Sequence, residues 1–237
     1  GKAIELASVI NLGQKMSKAF NIKYIASDEK EKHAWQTCYG ISERSLGASL
    51  AIHGDDTGLI FPSALAPFQI VIVPIGTDKK VLAKAEAIKK NLSEIRVHID
   101  NSKKRPGEKF YNWEAKGVPV RIEIGPRDLA NKKITVVRRD NGNKVSISES
   151  RAIKYVSGIL NQIDKSIYSK SKRNFRKQIH NAKTLAQAKK ILETEGGIVR
   201  LPWNGSNKKG QEMEKKLPGQ ALGYERNKKH LYFARTY

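Results

Sequence analysis

Cysteine is nearly absent: Cys38 is the one thiol in 237 residues. That excludes a framework of internal disulfides and fits a reducing, cytoplasmic compartment. No apolar run approaches the roughly 20 residues that cross a bilayer, and no apolar leader of the secretory kind opens the chain, so no membrane partner is expected. Also missing are a P-loop, a glycine fingerprint for dinucleotides and the pattern of a nucleophile triad. Acidic residues are few beside basic ones, 23 Asp and Glu against 45 Lys and Arg, for a formal net charge of +22. A surplus of that size attracts polyanions at long range, and a nucleic acid is the partner class it fits best. An initiator methionine is lacking too: the chain opens on "GKAIELASVI", which predicts a piece of a longer protein.

What is present falls into three blocks, each long enough to bury a core. In residues 1–66, "KAIELASVI" predicts a strand, "NLGQKMSKAFNIKYI" a short helix running into a second strand, "ASDEKEKH" an exposed turn and "AWQTCYGIS" another strand. "ERSLGASLAIHG" follows with Leu46, Leu50 and His53 at helical spacing. Residues 67–168 have a cleaner rhythm. The β-branched run "FQIVIVPI" reads as a strand buried on both faces of a parallel sheet, and "DKKVLAKAEAIKKNLSEI" as a helix with Val81, Leu82, Ala85, Ile88 and Leu92 on one side. Then come "RVHID", the basic loop "NSKKRPGEK", a short helix "FYNWEAKG", the strand "VPVRIEIG", a turn at "PRDLANK" and a hairpin signalled by Asn141-Gly142. A helix, "ESRAIKYVSGILNQIDKSIYSKSK", leaves the block. Residues 169–237 predict a helix "TLAQAKKILETE", a strand "IVRLPW", a polar loop "NGSNKKG", a helix "QEMEKKLP" and a last strand "KHLYFARTY". Helices alternating with strands of this length imply an α/β (α+β) chain built around mixed sheets.

These residues also carry a family resemblance. "AWQTCYGISERSLGASLAIHGDDTGLIFP" resembles motif 3 of class II aminoacyl-tRNA synthetases, in the form found in archaeal and eukaryotic prolyl-tRNA synthetases. "NWEAKGVPVRIEIGPRDL" and "VVRRDNG" resemble that family's anticodon-binding domain, and "GGIVRLPW" with the terminal "YFARTY" resembles its C-terminal domain. The resemblance implies three parts: residues 1–66, the end of an antiparallel-sheet catalytic domain with motif 3; residues 67–168, an anticodon-binding domain; and residues 169–237, a small α/β terminal domain. Motifs 1 and 2 are missing, so the isolated chain is expected to lack proline-dependent exchange of ATP and pyrophosphate, a reaction whose transition state needs charge stabilised from both sides.

The resemblance assigns roles residue by residue. Arg44 and Ser42 would contact ATP, and a charge-assisted arginine fork suits a triphosphate; taken alone, a single arginine more commonly pairs with a surface acid, here Asp55 or Asp56. Glu5 and Ser8 stand at two further positions that face ATP, although the family has glutamine and threonine there. Ile10 and Tyr39 fall in the proline pocket. Ile10 replaces a histidine and cannot hydrogen-bond the amino acid, while Cys38-Tyr39 and Glu43 stand where the family has Ser-Trp and Thr. At the anticodon, whose second and third bases are guanines for proline, the matching residues are Glu114, Arg121 and Arg127. A carboxylate accepts from the guanine N1 and N2 donors, and an arginine donates to O6 and N7. Phe110, Tyr111 and Trp113 could stack bases or fill the core. Lys103, Lys104, Arg105 and Lys132 would hold phosphate or simply make a solvated basic face.

Many relatives hold structural zinc through cysteines after "VPW" and before the last strand. This chain has "NGSNKKG" and "YERNKKH" there, without a cysteine, and no zinc is expected because asparagine and lysine are not zinc ligands. The last residue, Tyr237, either matches the family's terminal tyrosine, whose chain end reaches toward the catalytic site, or is an ordinary aromatic closing a strand. His53, in "HGDD", reads as a core histidine or a helix-capping group. The function implied is ATP-dependent attachment of L-proline to tRNA(Pro) through a prolyl-adenylate, with Mg2+ and a homodimeric full-length enzyme in the cytoplasm. The alternative is a non-catalytic tRNA-binding protein derived from a synthetase.

Overall fold

The structure is a computed structural model that describes residues 2–225, 227 and 229–236; Tyr237 lies outside the described residues. Along the chain run β1 (Ala7–Gly13), α1 (Lys15–Ala19), β2 (Lys23–Ile25), β3 (Glu31–His33), β4 (Gln36–Ile41) and α2 (Arg44–His53). There follow β5 (Ile70–Pro74), α3 (Lys79–Asn91), β6 (Val97–Ile99), α4 (Pro106–Ala115), β7 (Val120–Ile124), α5 (Pro126–Ala130), β8 (Lys133–Arg138), β9 (Lys144–Ser148) and α6 (Glu149–Lys177). The chain ends with β10 (Ile179–Asn181), α7 (Leu185–Thr194), β11 (Ile198–Pro202), α8 (Asn207–Lys216), β12 (Gln220–Tyr224) and β13 (His230–Ala234). These elements form two compact units, residues 49–174 and residues 1–48 with 175–237.

The unit 49–174 is a five-stranded mixed sheet in the order β6-β5-β7-β8-β9. The first three strands are parallel and the last three antiparallel. The β-branched run of β5 is buried on both faces: Ile70 and Ile72 meet α3 and α6, and Val71 and Val73 pack with Trp113 of α4. Asp78 caps α3 by accepting from the Lys80 amide at 2.8 Å. Inward residues of α3 and α6, from Val81 to Ile88 and from Ala152 to Ile167, complete one core with Ile122 and Ile124 of β7. Each such valine, leucine or isoleucine contributes about 1.5–3 kcal/mol by leaving water. Asn141 and Gly142, the latter at φ 70, turn the β8–β9 hairpin as its sequence predicts.

Residues 54–66 are fastened to this sheet by polar contacts. Arg139 forks onto Asp55 at 2.8 and 2.6 Å. Ser63 donates its amide and hydroxyl to the two carboxylate oxygens of Asp164, and Arg96 donates to the carbonyls of Ser63, Ala64 and Ala66. Two backbones also come close where the Leu59 amide donates to the Ala115 carbonyl at 3.0 Å. A Cβ on Gly117, whose φ is +72, would lie 2.6 Å from the Leu59 carbonyl oxygen, so only glycine fits there.

In the other unit, a four-stranded sheet has the order β10-β11-β13-β12, with β10 parallel to β11 and the rest antiparallel. One face buries Val199, Leu201, Leu231 and Phe233 under Ala188 and Leu192 of α7 and Met213 of α8. Ala3 forms a parallel bridge with Thr236 next to β13. The first 48 residues add an antiparallel ribbon of β1 and β4 and a small β2–β3 hairpin. Little covers the ribbon: Val9, Tyr39 and Ile41 are more than 70 % exposed, and α2 buries none of its residues despite its helical spacing.

Several elements differ from expectation. The charged stretch at 26–33 includes strand β3, held by pairing to β2 and by a Lys23–Glu31 ion pair at 2.9 Å. The expected turn at Pro126 is a one-turn helix, because the Asp128 carboxylate accepts from the Gly125 amide at 2.9 Å. Ser206 caps α8, which therefore starts inside the expected polar loop. β10 and β12 are short edge strands that the sequence left unmarked, and α6 runs on to Lys177.

Candidate nucleotide cleft and nucleic-acid interface

Antiparallel pairing sets Ser8 opposite Gly40, Val9 opposite Tyr39 and Ile10 opposite Cys38. Side chains alternate along a strand, so Ser8 and Ile10 share one face and Tyr39 stands on the other. Where β4 passes into α2, Ser42 donates its amide to the Leu6 carbonyl at 3.2 Å and its hydroxyl at 3.4 Å. These contacts hold the two segments as the walls of an open cleft of about 450 Å³, lined by Glu5, Ser8, Gly40, Ser42, Glu43 and Arg44 among others. All four residues expected at ATP therefore come together. Ile10 and Tyr39 do not line the cleft; Ile10 is 45 % and Tyr39 73 % exposed. No acid engages Arg44 among the described residues: Asp55 is taken by Arg139, so the surface pair of Arg44 with Asp55 does not form. The Arg139 fork holds the Asp55 carboxyl well below its usual range.

The second constellation lies on the five-stranded sheet. Glu114 ends α4 and accepts from Arg121 Nη1 at 2.7 Å. Arg121 also donates through Nε to Glu123 at 3.1 Å and lies over the Phe110 ring at 4.4 Å. Lys144 reaches the other oxygen of Glu123 at 2.6 Å. The register explains this arrangement: Arg121 pairs with Val137, and Val137 with Lys144, so three adjacent strands carry the two cations in one row. Lys144 was not singled out in the sequence, because its position depends on that register. Arg139 supports the group from behind, donating to the Glu114 carbonyl at 2.9 Å.

Glu114 is about a third exposed, Arg121 nearly buried and Arg127 open to solvent. Arg127 does not join the pair. It sits in α5, past the end of β7 and separated from Arg121 by about 10 Å of strand. The pocket beside Glu114 and Arg121, lined also by Trp113 and Arg139, holds about 10 Å³, no more than one water needs, so a base would have to rest on the surface. Trp113 is core: its Nε1 donates to Asp100 at 2.7 Å, and the ring packs against His98 and Phe68. Phe110 lies under Arg121, which leaves Tyr111, 68 % exposed, as the aromatic free to stack. Lys103, Lys104, Arg105 and Lys132 are all exposed, and Lys104 pairs with Glu108. His53 is half-buried at the end of α2, and burial together with the nearby Lys170 charge lowers its pKa.

In the terminal sheet, Glu225 accepts from Arg200 Nε at 2.7 Å and from Tyr232 at 3.0 Å, with His230 Nδ1 at 2.8 Å. Led by the His230 contact, these partners hold the Glu225 carboxyl at about 2. Among the described residues, no group of three His, Cys, Asp or Glu is placed to hold a metal ion, and no helix is long and apolar enough to cross a membrane. Cys38 is exposed and unpaired with another thiol.

A family model described as an anticodon binding domain matches residues 69–159. The proline--tRNA ligase of Pyrococcus abyssi is 41 % identical over 228 residues, covering 94 % of this chain and 48 % of the relative. Over nearly its whole length the chain is similar to prolyl-tRNA synthetases. A second relative, the proline--tRNA ligase of Methanosarcina mazei, is 38 % identical over 258 residues, covering all of this chain and 53 % of the relative. Among solved structures, Giardia lamblia prolyl-tRNA synthetase in complex with prolyl-adenylate superposes with a TM-score of 0.89 at 29 % identity, covering 100 % of this chain and 57 % of that one. The chain thus spans about half the length of the prolyl-tRNA synthetases it matches.

Proposed function

We propose that the chain serves a proline–tRNA ligase by reading the anticodon of tRNA(Pro) and by supplying one wall of the site where ATP and L-proline form prolyl-adenylate. The observation that carries this reading is the Glu114–Arg121 pair at the surface of the segment matched by the anticodon-binding model. With one Glu114 oxygen and one Arg121 amino group left over, the pair offers an acceptor beside a donor. That combination complements the N1 and N2 donors and the O6 acceptor of guanine. Arg127, on its own helix, would serve the neighbouring base or its phosphate.

At the cleft, Arg44 would take the triphosphate by charge-assisted hydrogen bonds, with Ser42 and Ser8 as hydroxyl partners. Magnesium suits the hard oxygens of Glu5 and Glu43 together with the nucleotide's own phosphates. The division into residues 1–66, 67–168 and 169–237, the homodimer and a cytoplasmic location belong to the same reading. The test is equilibrium binding of the chain to tRNA(Pro) and to the same RNA altered at the second and third anticodon bases. Loss of about 1–3 kcal/mol per altered guanine is expected. Equal affinity for the two RNAs overturns the reading.

A second reading is favoured by Ile10, which puts a side chain without hydrogen-bonding capacity on the face that Ser8 presents. On that reading the chain binds tRNA without activating proline. Guanine-dependent RNA binding with no detectable ATP binding selects it.

A further inference from the structure

The inward stripe of α6, from Ala152 through Val156, Ile159 and Ile163, stops at Ile167. The positions that would continue it three, four and seven residues on are Lys170, Ser171 and Asn174. From Tyr168 to Lys177 every residue except Ser171 is exposed. A helical segment that fully buries no side chain has little packing to hold it and depends on its own side-chain pairs. Those pairs are unfavourable here: Lys172 with Arg176 and Arg173 with Lys177 set like charges one turn apart. No carboxylate relieves them. Asp164, the last acid on the helix, is engaged by Ser63, and from Lys165 to Leu192 the chain has nine Lys or Arg and no Asp or Glu. None of the α6 cations from Lys165 onward forms an ion pair among the described residues.

We infer that the exposed C-terminal half of α6 is a second RNA-binding surface, one that grips the phosphate backbone without reading sequence. Six cations, Lys165, Lys170, Lys172, Arg173, Arg176 and Lys177, extend over about 18 Å of helix. An array of that length matches the regular charge of a nucleic-acid backbone better than a single anion. It lacks the apolar face that an interfacial helix inserts into a membrane. Tyr168, with Lys172 Nζ 5.4 Å from its ring centre, and Phe175 are exposed within the same turns and can stack an unpaired base. Bound phosphate would relieve the like-charge repulsion along the helix.

The inference rests on the reading of the chain as an RNA binder, and its test separates the two. The dependence of tRNA(Pro) affinity on salt is measured for the intact chain, for Lys172→Gln/Arg173→Gln/Arg176→Gln, and for a charge-matched Lys79→Gln/Lys80→Gln/Lys89→Gln variant on the exposed side of α3. Each is titrated with native RNA and with RNA altered in the anticodon. The α6 variant is expected to lower the slope of log affinity against log salt by about 2 to 3, equally on both RNAs, with a melting temperature unchanged or raised as the like-charge pairs are removed. The α3 variant keeps the original slope. An α6 variant with unchanged slope, or equal losses in both variants, overturns the inference. Equal binding of the two RNAs would remove anticodon reading and leave the α6 comparison standing.

Discussion

Arg121 and Glu114, seven residues apart in sequence, meet at 2.7 Å across the junction of α4 and β7, and a second carboxylate, Glu123, holds the guanidinium at its Nε. Two acids on one arginine fix its plane and leave one amino group to donate outward. Replacing Arg121 by Lys keeps the charge and loses the fork. Arg121→Lys should therefore weaken tRNA(Pro) binding by about 1–3 kcal/mol and flatten the difference between native and altered anticodons, as read by equilibrium titration.

How this pair forms was only partly legible in the sequence. The runs of β5 and β7, the inward face of α3 and the Asn141-Gly142 hairpin followed from β-branched and periodic patterning, since those elements are buried and their pattern reflects burial. Glu31–His33 and Gln220–Tyr224 escaped because short edge strands are defined by their neighbours rather than by their own composition. Glu114 and Arg121 were marked by resemblance alone, and their mutual contact comes from tertiary packing. Glu123 and Lys144 could not be found without the β7–β8–β9 register. Glu5, Ser8, Ser42 and Arg44 line one cleft, a grouping that the resemblance alone suggested, whereas Ile10 and Tyr39 could be placed only once the β1–β4 pairing was known.

Arg139 bridges two segments, donating to the Glu114 carbonyl and forking onto Asp55. Arg139→Ala removes charge-assisted hydrogen bonds from a nearly buried guanidinium, and a loss of about 1.5–3 kcal/mol is expected in urea unfolding. Asp55 is partly exposed and can rehydrate, which keeps the loss below that of a fully buried pair.

Close backbone approach makes Gly117 intolerant. A methyl group at Gly117 would strike the Leu59 carbonyl at a positive φ. Gly117→Ala is expected to destabilise by more than about 1 kcal/mol. Gly142→Ala, also at positive φ but with open space around its Cβ position, should cost less; thermal melts of the two variants give the comparison.

Glu225 links stability to pH. Its carboxyl is at about 2 in the folded chain against an ordinary 4.5. A depressed acid stabilises the fold fully above its unfolded value and ceases to do so as pH falls through the folded one. The melting temperature of the chain relative to Glu225→Gln should therefore be constant above about pH 5 and shrink between about pH 4.5 and 2. A difference that persists at pH 2 would rule out the Arg200, His230 and Tyr232 contacts as its cause.

At the cleft, Arg44→Ala should weaken ATP binding about tenfold or more, the effect of one lost charge-assisted contact. Ile10→Ala, outside the cleft lining, should leave ATP affinity within about twofold, corresponding to about 0.4 kcal/mol. Calorimetric titration with ATP and magnesium distinguishes the two variants.

The most direct measurement replaces a single anticodon guanine of tRNA(Pro) with inosine, which removes only the N2 amino group, at the second and then the third position. Affinity is compared for the intact chain and for Glu114→Gln. If Glu114 accepts from guanine, inosine at one of the positions weakens the intact chain by about 1–3 kcal/mol and has little further effect on the variant. The same inosine penalty in both proteins, or none in either, contradicts guanine recognition by Glu114.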